Sequence, residues 1–511
     1  MATAEIGDGE GVDVTTAAAS AATTFATTTA DRQRFSFSDR ILGTLDPCIV
    51  ETKAWMQEYA HLWEGREDGD DGIVSLAQGV VYWKPPPSCR RALLEAVSMD
   101  GGDDDDDETS DPLALHSYSP EVGIPELVAA LETKIAVEHG MHHHDVTVTV
   151  GANQAYTNIV LTLLGGSSSS SDNNNKAIVF APYYFNHVMA IQMCAGPDAV
   201  VVGPTDMTTG VPDLEWLTAT LAEHSRGGGG DGNSVRMVTL VNPGNPTGVA
   251  LPRDTVRKIV DLCRDHGVWV VLDCTYEHFF NTGGNGGDGD GDDKTDAAAP
   301  NPLPTFPDDP HVIHVFSFSK GYAMAGYRIG YLVSHNTDPA SGSSSAGGGF
   351  LSQMLKVQDT IPIGPPRLSQ HVALGALRQG SSSASTGSYD PSSKEWVYRK
   401  YATLDASRAC ILEALSALPR CIGGSGSMYV LGKLPDGLAL PAETDDDGDV
   451  PADVLFCKRL VRDHGLAIIP GSFCGSPGWI RVCYANLPPE RTRVAAERLR
   501  RGIAALTAAA E

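Results

Sequence analysis

Short apolar runs alternate with amphipathic helices along most of the 511-residue chain, and this rhythm restricts the fold more than any other feature. Residues 125–139 read as a helix, with Pro125 in its first turn and Gly140 just beyond its end. The apolar strand 146–150 is followed by Gly151 and a helix over about residues 154–164. Strands at 177–181, 235–241, 268–273, 312–317 and 328–333, with a helix at 253–266, continue the pattern. Such strands belong to a mainly parallel sheet covered on both faces, whose ligands gather at the carboxyl ends of the strands. The predicted class is α/β. Beyond about Asp359 the texture changes to a long helical stretch, 394–418, then a strand at 480–484 and a helix at 489–506. That predicts a second, smaller C-terminal domain.

The net charge of -27 argues against a nucleic-acid partner, because phosphate backbones require basic surface. Much of the charge lies in acidic runs at 103–108, 288–293 and 445–449, read as solvated segments. Gly- and Ser-rich tracts at 167–175, 227–234, 283–293, 341–349 and 381–388 fall where surface loops are expected, and lengthening such loops costs little. Residues 1–34 have neither a cationic start nor an apolar core segment, and no apolar run is long enough to span a bilayer. The ten cysteines form no C-x-x-C pair and read as thiols of a reducing compartment. No metal is expected: consecutive histidines at 142–144 rarely converge on one ion, and the Asp-Gly alternation at 288–292 lacks the glycine and glutamate of a calcium loop. The expectation is a cytoplasmic protein without nucleic-acid or membrane partners.

Four motifs carry chemistry. Ser317-Phe-Ser319-Lys320 ends a strand, and Arg328 follows eight positions after the lysine. A lone lysine there would read as a strand-end residue reaching solvent. With two hydroxyls and a fixed guanidinium beside it, the group can hold a phosphate dianion next to an amine. Val241-Asn242-Pro-Gly-Asn245-Pro-Thr-Gly248 is a rigid turn at another strand end. Asn245 is either a turn residue or a donor to a phenolate oxygen. The strand 268–273 ends in Asp273, a carboxylate at a depth that needs a partner such as a protonated pyridine nitrogen, and Tyr276 is near enough to reach the same ring. Gly151-Ala152-Asn153-Gln154 is a strand-to-helix turn whose free N–H groups can cradle a phosphate.

In this order the motifs resemble those of the class I/II aminotransferases of fold type I, over roughly residues 35–506. The segments 75–83, 180–186 and 356–359 are similar to the plant cytosolic aromatic aminotransferases, which use methionine as amino donor to aromatic 2-oxo acids. The resemblance implies a fold type I pyridoxal 5'-phosphate (PLP)-dependent transferase acting on amino acids and 2-oxo acids. It implies that Lys320 carries PLP covalently, Asp273 pairs with the ring nitrogen, and Asn245 and Tyr276 hold the ring oxygen. Tyr184 would stack on the ring. Ser317, Ser319, Arg328 and the amides around Ala152, Asn153 and Gln154 would bind the phosphate. Arg481 and the backbone of Gly79 would grip the substrate carboxylate, with Asn245 beside them. Tyr118 would reach the phosphate of the neighbouring subunit, which makes the expected assembly an isologous homodimer.

For Lys320 to act as a base, its pKa must fall well below about 10.4, which desolvation and Arg328 favour. Tyr82 and Trp83, close to Gly79, suggest an apolar or aromatic substrate pocket. The expected organisation is a tail at 1–34, an N-terminal segment at 35–110 joining the small domain, a PLP-binding domain at 111–356 and the small domain at 357–511. A carbon–sulfur lyase would use the same cofactor residues. A PLP-sensing transcription regulator would need a basic DNA-binding module, which residues 1–34 do not offer.

Overall fold

The structure is a computed structural model. It describes residues 36–65, 72–98, 115–164, 175–224, 234–281, 302–336, 349–379, 389–438, 444–445 and 448–508. The predicted N-terminal tail, the acidic runs at 103–108 and 288–293, and almost all of the five Gly- and Ser-rich tracts lie outside the described residues.

The N-terminal part supplies α1 (Cys48–Tyr59), β1 (Val74–Ser75) and α2 (Pro87–Ser98). The sheet-forming part runs α3 (Pro125–His139), β2 (His144–Thr149), α4 (Ala152–Leu164), β3 (Asn175–Phe180), α5 (Phe185–Ala195), β4 (Val200–Gly203) and α6 (Leu214–Glu223). It continues with β5 (Ser234–Val241), α7 (Arg253–Asp265), β6 (Trp269–Asp273), β7 (Val312–Ser317) and β8 (Gly330–His335). Among the described residues these strands form one seven-stranded sheet in the order β2-β8-β7-β6-β5-β3-β4. All pairs are parallel except those of β8, which runs antiparallel to both β2 and β7. The side chains of β7 are buried throughout, as covering on both faces requires.

The rest comprises α8 (Phe350–Thr360), α9 (Arg367–Leu377), α10 (Ser392–Ala402), α11 (Asp405–Leu415), β9 (Arg420–Gly423), β10 (Tyr429–Lys433), α12 (Ala452–His464), β11 (Leu466–Ala467), β12 (Ile469–Pro470), β13 (Trp479–Cys483) and α13 (Pro489–Ala508). An antiparallel sheet β9-β10-β13-β12 forms here, and β1 pairs in parallel with β11 through Val74–Leu466 and Ser75–Ala467. The N-terminal segment is thereby stitched to the C-terminal part. No helix of the described residues is long and apolar enough to cross a membrane.

Local chemistry explains the boundaries. Helix α3 starts at Pro125 and stops where Gly140 takes φ 68°, its N–H bonding Ala136 O. The helical stretch expected over 394–418 is two helices. Between them Thr403 N–H and Leu404 N–H bond back only three residues, to Lys400 O and Tyr401 O, and the tightened turn buries Leu404. Strand β8 begins at Gly330, not at 328, because Arg328 adopts a left-handed conformation (φ 55°, ψ 54°) that an extended strand does not allow.

Behind the sheet lies a buried charge network. Lys134 Nζ of α3 sits 2.6 Å from Glu277 Oε2 and 3.6 Å from Glu138 Oε2. His278 Nε2 lies 2.7 Å from Glu138 Oε2, His139 Nε2 lies 2.9 Å from Glu277 Oε2, and the Tyr389 hydroxyl donates to Glu138. Glu138, Glu277 and His278 are close enough together to share an ion, but the Lys134 ammonium already supplies the positive charge. Lys134→Met strands two buried carboxylates and should cost about 3–5 kcal/mol of stability. The double variant Lys134→Met/Glu277→Gln should recover part of that loss; chemical denaturation of the three proteins checks it.

Candidate active site

The four motifs converge on the carboxyl edge of the main sheet. Val241 pairs with Asp273, Asp273 with Val315, and Gly330 lies between Thr149 and Ser317. The strand ends therefore bring the Asn245 turn, Asp273, the Ser317–Lys320 segment, Arg328 and the start of α4 together, although they are far apart in sequence. They border a cleft of about 390 Å³. Its lining includes Gly79, Ala152, Asn153, Tyr184, Asn245, Asp273, Tyr276, Ser317, Ser319, Lys320, Arg328 and Arg481.

The electrostatics divide the cleft. Lys320 Nζ donates to Gly79 O. Burial lowers its pKa to about 8, with the positive fields of Arg328 and Arg481 adding to the effect. Arg328 donates to Ala325 O at 2.9 Å and reaches Val150 O at 3.4 Å. Gly151 (φ 80°) is needed there, because a Cβ on it would lie 2.4 Å from Arg328 Nη2. Ser319 N–H donates to Ser317 Oγ at 3.1 Å. Neither Lys320 nor Arg328 has a carboxylate partner among the described residues.

Asp273 stands at the other end, 5% exposed. Burial pushes its carboxyl up, but hydrogen bonds from His187 Nε2 (3.1 Å) and Thr275 N–H (3.0 Å) outweigh this and leave it below the ordinary carboxylate range. Burial holds the Tyr276 phenol well above its usual pKa, so it keeps its proton and can donate it. Arg481, 2% exposed, donates to Asn245 Oδ1 at 3.1 Å and Ala77 O at 2.6 Å. Its Nε is buried without an acceptor, and no carboxylate among the described residues pairs with it.

Two expected residues, Gln154 and Tyr118, are placed differently from the rest. The Gln154 side chain turns away from the cleft: Oε1 accepts from Val150 N–H at 2.6 Å, and Nε2 donates to Gln358 Oε1 at 2.8 Å. Tyr118 is 78% exposed and does not line the cleft. Tyr184 lies at the cleft wall, its hydroxyl accepting from Asn186 Nδ2 at 2.8 Å. The aromatic wall expected from Tyr82 and Trp83 does not form. Trp83 is buried behind the lysine turn, with Nε1 donating to Gly321 O at 3.4 Å, and Tyr82 bonds Thr403 Oγ1 at 2.7 Å. Ile49, Val80 and Phe185 provide apolar lining instead. His187, stacked on Tyr156 at 4.0 Å, and Tyr429 were not found from sequence. Neither sits in a motif; contacts between elements bring both to the site.

Residues 72–499 match the family model described as aminotransferase class I and II. The chain belongs to the class I and II aminotransferases. It is 34% identical to the aromatic aminotransferase ISS1 of Arabidopsis thaliana over 469 residues, covering 91% of this chain and 96% of that protein. It is 27% identical to the aspartate/prephenate aminotransferase of Thermus thermophilus, covering 75% and 82%. A solved Thermus thermophilus aspartate aminotransferase mutant superimposes with a TM-score of 0.69 at 23% identity, covering 92% of this chain and 100% of that one. The fold type I assignment and a mostly parallel central sheet thus stand together.

This family depends on PLP, and the cleft suits it. Unpaired cations and the glycine-made turn at Gly151 form an anion-binding cradle at one end, matching a phosphate. An ionised, buried carboxylate at the other end matches a protonated ring nitrogen. The protein is a PLP-dependent aminotransferase.

Proposed function

We propose that this aminotransferase moves amino groups between aromatic amino acids or methionine and 2-oxo acids. The observation that carries the reading is the cation inventory of the cleft. Its described lining holds Lys320, Arg328 and Arg481 and no further cation for a second substrate carboxylate. Arg481, buried and lacking an acid partner, suits the one carboxylate that all substrates share. Ile49, Val80 and Phe185 suit an apolar side chain, and the similarity to ISS1 points the same way.

In this reading Arg328, Ser317, Ser319 and the N–H groups of Ala152 and Asn153 hold the PLP phosphate. Asp273 keeps a proton on the ring nitrogen, Asn245 and Tyr276 serve the ring oxygen, and Tyr184 covers the ring. When bound, PLP supplies an electron sink for the pair left as the substrate Cα proton departs. Lys320 Nζ, neutral above about pH 8, takes that proton and returns it one position away. Arg481 and Gly79 fix the carboxylate, and the apolar walls exclude water. The same groups work in reverse on the second 2-oxo acid.

We extend the reading to a homodimer in which Tyr118 reaches the partner's phosphate, supported by its exposure and its absence from the lining of its own cleft. The domain division at 35–110, 111–356 and 357–511 belongs to the same proposal, with the two sheets as its support. So does a cytoplasmic location, to which ten free thiols are suited.

The test is kcat/KM for phenylalanine, tryptophan, methionine and aspartate. Burying an unpaired carboxylate costs several kcal/mol, so aspartate should trail the others by about 100-fold or more. Arg481→Ala should lower all four by a similar factor. Aspartate as the best donor would end the reading.

A further inference from the structure

Tyr429 opens β10, in the small sheet, yet its phenol lines the cleft of the main sheet. Two glycines from separate sequence motifs make room for it. A Cβ on Gly79 would lie 2.0 Å from the Tyr429 hydroxyl oxygen, and one on Gly248 (φ 67°) would lie 1.9 Å from the Tyr429 carbonyl oxygen. Neither approach tolerates a side chain. Both motif glycines therefore serve, among other things, to seat a residue that neither motif contains.

The seated phenol meets two groups of the proposed chemistry. Its hydroxyl shares a 2.8 Å hydrogen bond with the Tyr276 hydroxyl, and the rings meet edge to face at 5.7 Å and 86°. The Arg481 guanidinium carbon lies 4.8 Å from its ring centre, while the strand pairing sets Leu431 beside Arg481. At 1% exposure, Tyr429 has essentially no access to bulk water. The titratable groups facing the phenol pair are Arg481 and Cys483 on β13, Tyr184 before α5 and Asp273 at the end of β6, with Lys320 after β7 lining the same cleft.

We infer that Tyr429 is a positioning residue: its hydroxyl donates to Tyr276, directing the Tyr276 proton toward the cofactor ring oxygen, while its ring face holds Arg481 for the substrate carboxylate. A phenol has one proton, so Tyr276 can donate into the cleft only if its bond with Tyr429 runs the other way, with Tyr429 donating. A donor that itself accepts a hydrogen bond is polarised into a stronger donor. The aromatic face, meanwhile, attracts a guanidinium without consuming its N–H groups. The inference rests on the roles proposed above for Tyr276 and Arg481.

The experiment compares wild type, Tyr429→Phe and Tyr429→Leu, each loaded with PLP. One readout is the pH midpoint at which the visible absorption of bound cofactor changes. The other is the Kd for 3-phenylpropionate, a monocarboxylate that cannot react. Tyr429→Phe removes only the hydroxyl. A weaker Tyr276 hydrogen bond leaves more electron density on the ring oxygen, so the proton between cofactor and Lys320 is held more tightly. The midpoint should rise by roughly half a unit to one unit, with the probe Kd unchanged. Tyr429→Leu should show the same rise and also weaken the probe about 5- to 10-fold. A merely structural tyrosine would lower thermal stability without separating the two readouts. A Tyr429→Phe midpoint equal to that of wild type overturns the inference, as does equal probe weakening in both variants. Wild type without a PLP absorption band would instead overturn the functional reading on which the inference rests.

Discussion

Replacing Lys320 with alanine will lower the transamination rate by about 1,000-fold or more, while leaving the fold and the rest of the cleft in place. The side chain is only partly covered and donates to a single backbone carbonyl, Gly79 O, so its removal breaks little structure. It is, however, the one amine in the described lining of the cleft, and burial brings its pKa to about 8. Below that value the amine is protonated and neither attacks a carbonyl nor accepts a proton. PLP attachment to the apoenzyme should therefore accelerate as pH rises through about 8. Borohydride reduction and peptide mapping provide the matching chemical test. The label should fall on Lys320 in wild type, and a label on another lysine contradicts the assignment.

Asp273→Asn is expected to lower kcat by roughly 100- to 1,000-fold, with KM moving much less. The substitution preserves volume but removes the charge that would keep the cofactor ring nitrogen protonated. His187 then faces an amide, which can still accept its N–H, so the local fold should survive. Steady-state kinetics and a thermal melt separate the two effects. A variant that melts like wild type but turns over slowly supports the electrostatic role; unchanged kcat refutes it.

The motifs were legible in the sequence because each is a backbone event at a strand end. Gly151, the Pro-rich turn around Asn245 and the lysine after β7 all announce themselves by residue type. Helix α3 was legible to its last residue for the same reason, since Pro125 and Gly140 punctuate it. The specificity wall was not. Tyr82 and Trp83 are adjacent to Gly79 in sequence, but adjacency does not say which way a ring packs, and the Trp83 indole found Gly321 O behind the lysine turn. His187 and Tyr429 were hidden because both lie outside the motifs: His187 reaches Asp273 from α5, and Tyr429 reaches the cleft from β10. The break between α10 and α11 was missed because burial of Leu404, a tertiary event, outweighed continuous helix propensity. The buried Lys134–Glu277 pair was equally unreadable, since its partners lie 143 positions apart.

The pairing of β1 with β11 has a consequence for the order of events during synthesis. Val74 is made long before its partner Leu466. The main sheet has the same property in milder form: β2, its first strand in sequence, pairs only with β8, its last. Contacts of such sequence separation form late, because the intervening chain must exist and be ordered first. Gly79 follows β1 by a few residues, so the loop that meets Lys320 and seats Tyr429 cannot settle until Tyr429 and β11 have been made. A nascent chain therefore carries Lys320 well before it has a finished cleft, and cofactor capture in its final geometry waits for the residues around Leu466.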